Sequence, residues 1–345
     1  MNNRITLSIC IATLNRGVFI GATLDSIISQ ANEEVEIVIV DGASTDNTEE
    51  IVRLYQKKFP KLRYVRLSAK GGLDQDYCRA VELAQGEYCW LFTDDDILKP
   101  GAIQAVMAAM QHDYGLILVN AEVKDATLSR VLEDRCLHFI NNMTYQTLDF
   151  EKFFVDVAEY ISFIGCIVIK RLLWNEREKE QYFGTVFAHV GVIFQQPFID
   201  SIMVLVEPLI SIRYGNALWA SKSFEISFFK WPDLIWSFPF FSESAKRQVC
   251  KREPWRSVKV LLIYRARGAF SLKEYRMLLE PHLRSNMKRF FIRAIAQFPG
   301  FLVNLGLIIY FSIFRSFYPK SSMRSVDLKN SRFYYKNWLF AVLNG

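Results

Sequence analysis

The sequence predicts an α/β fold: a doubly wound, mostly parallel sheet with a helical segment appended at its C-terminal end. Three observations carry the prediction. Apolar runs of strand length recur at residues 5–12, 35–40 and 88–92, and stretches patterned as helices separate them; this alternation marks successive βαβ units. The runs are apolar throughout rather than alternating, as in strands covered on both faces. A chain of 345 residues with 51% hydrophobic and 14% aromatic content can bury one such domain and still place a second segment.

Residues 5–12 make the first buried strand, and TLNRG at 13–17 is the polar loop that ends it. Residues 18–30 set Phe19, Leu24, Ile27 and Ile28 at helical spacing, and a second strand returns over 35–40 to end at Asp41. The turn that follows, DGASTD, offers Ser44, Thr45 or Asp46 as cap for a helix running to Phe59. A third strand at 62–67, a Gly71-Gly72 loop and a helix over 77–84 lead to the fourth strand. That strand, Tyr88 to Phe92, ends abruptly in Asp94, Asp95 and Asp96, and Lys99-Pro100 opens another helix. Later strands are expected at 116–119, 163–170 and 201–212, with a weakly patterned stretch reaching Thr147.

Ligands of open α/β sheets bind beyond the carboxyl ends of the strands. Three adjacent carboxylates there repel one another, and two readings fit them. A hard divalent cation, Mg²⁺ or Mn²⁺, can bridge one or two of them to a substrate's phosphates; or the acids form a turn that caps the next helix. No G-x-G-x-x-G follows the first strand and no G-x-x-x-x-G-K-[ST] occurs, which argues against a dinucleotide dehydrogenase or a P-loop NTPase. A sheet with acids at the ends of its second and fourth strands suits a metal-chelated nucleotide.

SICIATLNRG, VDGASTDNTEEIV and AQGEYCWLFTDDDILKPGAI, in that order and spacing, resemble the successive signatures of the family 2 glycosyltransferases, which have the GT-A fold. The resemblance covers the first third of the chain and weakens after residue 125. The intervening KGGLDQDYCRAVELA is similar to the branch containing abequosyltransferases. The resemblance implies that Thr13 and Asn15 line a nucleotide pocket and that Asp41 stands near the base or ribose. Where the family often carries Asp-Asp-Gly-Ser, this chain has Asp41-Gly42-Ala43-Ser44, so the usual second Asp is missing. Asp74 and Asp76 can replace it, their carboxylates accepting from an exocyclic amine such as that of cytosine, or they cap the following helix. The family's first metal-motif Asp is Thr93 here. That leaves Asp95 as the metal ligand, Asp94 facing the ribose and Asp96 supporting or sharing the metal.

Family 2 enzymes usually place a carboxylate base at the opening of a helix after the metal motif, yet no Asp or Glu lies between Glu180 and Asp200. His189, within FGTVFAHVGVIF, is the candidate base, with an ordinary pKa near 6.5 suited to deprotonating a sugar hydroxyl. A lone histidine among apolar neighbours is otherwise a core residue. Arg213, after the strand at 201–212, is the cation placed to steady a leaving diphosphate, or else a surface arginine.

Residues 1–216 are therefore expected to form the GT-A domain, with a nucleotide-sugar half at 1–115 and an acceptor half at 116–216. Residues 217–345 are expected to form a helical, basic and aromatic membrane-association region. The uncharged run 294–314 is flanked by Lys288, Arg289 and Arg293 and by Arg315, Lys320 and Arg324, but Gln297, Pro299, Gly300 and Asn304 interrupt it. A helix lying in the cytoplasmic leaflet, or re-entering it, fits better than a span, with a buried helical hairpin as the alternative. Six cysteines without C-x-x-C spacing read as reduced thiols, and no secretory signal is expected. A net charge of +6 with no reader module argues against nucleic acid.

The expected function is metal-dependent transfer of one sugar from a nucleotide-sugar donor to a polyprenyl-diphosphate-linked acceptor at the cytoplasmic membrane face, with inversion. A hexosyltransferase using a UDP or GDP donor is one alternative. A nucleotide-sugar-binding pseudoenzyme that scaffolds a membrane assembly is another.

Overall fold

In the computed structural model, which describes residues 4–217, 220–313 and 321–336, the chain divides into two compact units. The first comprises residues 1–124, 134–213 and 238–249, and the second residues 125–133, 214–237 and 250–345.

The first unit opens with β1 (Leu7–Thr13), α1 (Gly17–Ile28), β2 (Val35–Asp41), α2 (Thr48–Lys58), β3 (Leu62–Arg66), α3 (Leu73–Leu83) and β4 (Tyr88–Phe92). After these come β5 (Ile97–Leu98), α4 (Ala102–Met110) and β6 (Leu116–Asp125). The sheet runs β3-β2-β1-β4 in parallel, with Thr13 opposite Asp41 and Ile11 opposite Phe92. Every residue of β1, β2 and β4 is buried, as runs without alternation require. Ile9, Ile37, Trp90 and Phe92 share one core with Leu24 and Val106. Truncating such a fully buried aromatic as Trp90 to Ala typically costs about 3–5 kcal/mol.

Glu36 is a carboxylate inside the all-buried β2, and it is not left unpaired. The Ser8 hydroxyl donates to it at 2.6 Å and the Gln85 amide at 2.5 Å. These bonds satisfy a charge that would otherwise be expensive to bury.

Beyond β4 the sheet continues through antiparallel partners. After the short β7 (Val131–Glu133), these are β8 (Met143–Gln146), β9 (Ile167–Lys170) and β10 (Ser201–Tyr214), with α5 (Phe150–Ile161), α6 (Arg171–Glu176) and α7 (Ala188–Phe194) between them. The path is β3-β2-β1-β4-β9-β6-β10-β5, with β8 paired to β10. The ends of β2, β1 and β4 are thus adjacent, and the acids after β4 share one edge with the loops after β1 and β2.

Residues 238–249, beyond the boundary expected at 216, belong to the first unit because of their aromatics. Phe241 stacks on Phe154 at 4.0 Å, and Phe150 stacks on Phe198 at 4.2 Å. Phe194 and Phe238 complete the cluster.

In the second unit the described part of the run 294–314, residues 294–313, falls in two helices rather than one. Asn286–Gln297 and Gly300–Ile313 meet at 84°, and among the described residues no single helix is long and apolar enough to cross a membrane. Pro299 is the cause, since the residue before a proline is driven out of the helical region, and Phe298 has ψ 142°. Asn304 is buried, its amide donating to the carbonyls of Ala266 and Leu328 at 3.1 and 2.9 Å. Arg315 and Lys320 lie outside the described residues.

Candidate nucleotide-sugar site

The edge is built from two interlocked loops. Asn15 sits at φ 54°, a left-handed conformation that Asn tolerates better than most residues. Its Oδ1 accepts from the Thr45 amide at 2.7 Å, and its own amide donates to the Ser44 hydroxyl at 2.8 Å. Asp46 then accepts from the Gly17 amide at 3.0 Å and from the Thr48 amide at 3.0 Å, tying the starts of α1 and α2 together. Asn15 therefore spends its oxygen on the loop after β2.

Asp41 is fully buried and committed to the protein, accepting from the Ser44 amide at 2.7 Å and the Tyr64 hydroxyl at 2.6 Å. It shapes the turn, which carries Ala43 at φ 69°, a strained value for alanine. The two candidates in α3 part company. Asp74 accepts from the amides of Gly184, Val186 and Ala188 at 2.8, 3.0 and 3.1 Å, so it clamps the start of α7, and its expected role at a base is corrected accordingly. Asp76 is also buried, but its Oδ1 has no partner.

Asp76 stands against the missing carboxylate. A Cβ added at Gly42 would lie 3.0 Å from Asp76 Oδ2, and one at Gly71 would lie 3.2 Å from Oδ1. Burial pushes the acid up to about 6 and Asp41 adds to the effect, while the Gly72 amide and Lys70 oppose it. The Thr13 hydroxyl is buried beside Asp94, whose carboxyl it helps to hold down. Asp76 Oδ1 is thus a buried polar atom with no hydrogen-bond partner among the described residues, close to the end of β1, and such a place calls for a polar ligand.

The acids after β4 do two different things. Asp96, 2% exposed, accepts from the Thr93 hydroxyl and from the Arg213 amide at 2.7 Å. Burial first, and then Asp95, raise its pKa well above the carboxylate range, so it is a clamp joining β4 to β10 and does not fit the metal-sharing role expected of it. Asp94 and Asp95 instead turn toward one cation. Arg16 Nε lies 3.4 Å from Asp94 Oδ1, and an Arg16 terminal nitrogen lies 3.3 Å from Asp95 Oδ2. Burial, reinforced by Asp95, still pushes Asp94 up to about 7 despite Arg16.

Among the described residues no three His, Cys, Asp or Glu side chains form a complete metal cage. Asp94 and Asp95 nonetheless fit a divalent cation. They are two buried carboxylates converging on the Arg16 guanidinium, and a diphosphate can supply the remaining oxygens. Arg213 is part of the same edge. Its Nε donates to the Asp95 carbonyl at 2.9 Å, and its guanidinium lies 5.1 Å from the centre of the Phe19 ring, which also carries Arg16 at 5.6 Å.

His189 does not behave as the expected base. It is 3% exposed, and its Nε2 lies 3.0 Å from the Ile161 carbonyl, to which it donates. Burial pulls its pKa down to about 4, against the pull of the Ile161 and Ser162 backbone. The cavity beside it, lined by Asp74, Tyr77, Trp174 and Val186, is about 10 Å³, room for one water and not for a sugar. Two other carboxylates of the expected acceptor half are also paired. Asp156 accepts from Tyr145 at 2.8 Å and Asp200 from Thr147 at 3.0 Å.

Arg16 is the residue that sequence reasoning missed. Its signal was position alone, a cation three residues past the end of a strand whose neighbour ends in the acids.

Residues 8–164 match the family model described as glycosyl transferase family 2. Abequosyltransferase RfbV of Salmonella typhimurium is 28% identical over 235 residues, 63% of this chain and 69% of that protein. The GalNAc(5)-diNAcBac-PP-undecaprenol beta-1,3-glucosyltransferase of Campylobacter jejuni is 27% identical over 180 residues, 52% of this chain and 56% of that protein. In structure, S. aureus TarS 1-349 in complex with UDP superposes with a TM-score of 0.54 at 15% identity, covering 94% of this chain and 91% of that one. The fold is that of the GT-A glycosyltransferases.

Proposed function

Residues 8–164 belong to the family 2 glycosyltransferases, and from that premise we propose that the chain moves one sugar from a nucleotide-sugar donor to a polyprenyl-diphosphate-linked oligosaccharide in surface-polysaccharide synthesis. The observation that carries the reading is the pair Asp94 and Asp95, two buried carboxylates converging on Arg16 at the sheet edge that also holds the unsatisfied oxygen of Asp76. Asp94 and Asp95 would hold Mg²⁺ or Mn²⁺, which when bound neutralises a nucleoside diphosphate as it departs. Arg213 lends a fixed positive charge to the same diphosphate.

The acceptor hydroxyl attacks the anomeric carbon and gives up its proton to solvent or to the departing diphosphate, the C1–O bond to the diphosphate breaks, and inversion results. Asp76 receives a donor group of the base. An ionised carboxylate accepts from an exocyclic amine, so a base carrying one, cytosine first, is favoured over uracil. The relative named as an abequosyltransferase supports transfer of a sugar, and the one whose name includes PP-undecaprenol supports a lipid-carrier acceptor.

The localisation we propose is the cytoplasmic membrane face. Phe290, Phe291, Phe298, Leu302, Leu305 and Ile309 are exposed on the two bent helices, and Lys288 and Arg293 flank the first of them. Apolar faces edged by cations suit an anionic interface.

Purified chain tested by thermal shift against CDP-, UDP- and GDP-sugars, with and without Mn²⁺, followed by transfer to an undecaprenyl-diphosphate oligosaccharide, checks this reading. A Mn²⁺-dependent rise in melting temperature with one donor class, and transfer of that sugar, are expected. No donor binding at all would overturn it. Donor binding without transfer or hydrolysis would instead favour the nucleotide-sugar-binding scaffold, a reading to which the buried, neutral His189 lends weight.

A further inference from the structure

We propose that Arg16 is an exchangeable counter-ion: it occupies the place of the divalent cation while the donor is absent, and it yields that place and turns to the diphosphate when metal and donor arrive. The inference rests on the metal reading of Asp94 and Asp95 and goes beyond it by assigning the residue that controls entry.

The geometry carries it. Asp94 and Asp95 are each 9% exposed, so their mutual repulsion is poorly screened by water. One guanidinium addresses both, at 3.4 and 3.3 Å, longer than a tight charge-assisted bond of about 2.7–2.9 Å. A cation bound to the same Asp95 oxygen would stand within a few ångströms of that guanidinium, so the two positive charges exclude each other. Arg16 also has somewhere to go. Its guanidinium lies over Phe19, the ring that carries Arg213 on the same edge, so a displaced Arg16 stays beside the diphosphate that Arg213 serves. Its backbone amide is anchored to the Thr48 hydroxyl at 2.9 Å, so the movement needs only the side chain.

Exchange makes metal and diphosphate cooperative beyond direct chelation. Metal alone evicts a cation that gains no new anionic partner, whereas metal with a nucleoside diphosphate evicts it onto new phosphate oxygens. A ligand that removes a competing state lowers the cost for the next one.

Mn²⁺ titration of the full chain by electron paramagnetic resonance at pH 8, with wild type, Arg16→Gln and Arg16→Lys, tests the exchange. In the absence of nucleotide, Arg16→Gln is expected to bind Mn²⁺ at least tenfold more tightly than wild type, with Arg16→Lys between them. Saturating Mn²⁺ should also raise the melting temperature of Arg16→Gln more than that of wild type. With CDP, UDP and GDP added in turn, the nucleotide-induced gain in Mn²⁺ affinity should be larger in wild type than in Arg16→Gln. Equal or weaker Mn²⁺ binding by Arg16→Gln and Arg16→Lys would overturn the exchange while leaving the metal site standing. Absence of Mn²⁺ binding in every variant, with and without the nucleotides, would overturn the metal reading itself.

Discussion

Asp95 and Asp96 are neighbours in the chain with opposite duties, and isosteric substitution separates them. Asp95→Asn is expected to abolish Mn²⁺-dependent donor binding with little change in melting temperature, because its carboxylate faces Arg16 and not the core. Asp96→Asn should keep Mn²⁺ affinity within about threefold, since an amide oxygen can still accept from the Arg213 amide. Asp96→Ala should cost about 1–3 kcal/mol of stability by leaving buried donors unpaired. Denaturant melts paired with Mn²⁺ titrations check all three, and loss of metal binding in Asp96→Asn would return that residue to the ligand set.

His189 makes a prediction of the opposite kind, about stability and not chemistry. Its folded pKa, about 4, lies below the ordinary 6.5, so the folded state prefers the neutral ring. Its contribution is fully present above pH 6.5 and is lost as pH falls toward 4. The shift is worth on the order of 3 kcal/mol once the ring is protonated. Melting temperatures of wild type and His189→Gln between pH 7.5 and 4.5 are expected to converge or cross as the pH drops, because glutamine can donate to Ile161 without titrating. A difference independent of pH would refute the buried-neutral assignment.

At the scale of elements, the start of α7 is held by a residue far away in sequence. Val186 sits at φ 67°, a strained conformation for a β-branched residue, and the three amides given to Asp74 keep it there. Asp74→Ala is expected to speed hydrogen exchange at Gly184, Val186 and Ala188 by tenfold or more, since bonds to a charged acceptor are worth about 1.5–3 kcal/mol each. Unchanged exchange there, with α3 intact, would mean that other contacts hold the segment.

The strands and their order were legible because β1, β2 and β4 are continuous apolar runs, whose burial on both faces is a property of the sequence itself. The acid edge was legible for the same reason, since strand ends define it. What the sequence did not disclose was allocation. Asp74 and Asp76 lie two residues apart and read alike, yet one faces the α7 amides and the other keeps an unsatisfied carboxylate oxygen. His189 has the chain position of a base, but whether its ring faces solvent or the Ile161 carbonyl depends on how α5 and α7 pack. Arg16 escaped notice because an ion pair to acids nearly eighty residues away has no local pattern.

At the scale of the whole molecule, the C-terminal pair of helices puts its apolar surface outward. Phe290 and Phe291 are 68% and 59% exposed, while Ile292 and Ala296 on the same helix are buried, so one face packs and the other has no protein cover among the described residues. Fully burying one Phe side chain is worth about 1.5–3 kcal/mol, and a juxtamembrane cation adds about 1 kcal/mol at an anionic surface. Phe290→Glu/Phe291→Glu should therefore weaken binding to vesicles containing phosphatidylglycerol by a hundredfold or more while leaving the fold intact. Both side chains already face solvent, so their loss removes little from the core. Wild type should bind phosphatidylcholine vesicles less tightly than anionic ones, and should lose part of that advantage at high salt. Flotation of both proteins with the two lipid compositions measures this directly. Equal flotation of the double variant would exclude this face as the anchor. A wild type that ignores vesicles but elutes as a dimer, where the variant elutes as a monomer, would assign the face to self-association.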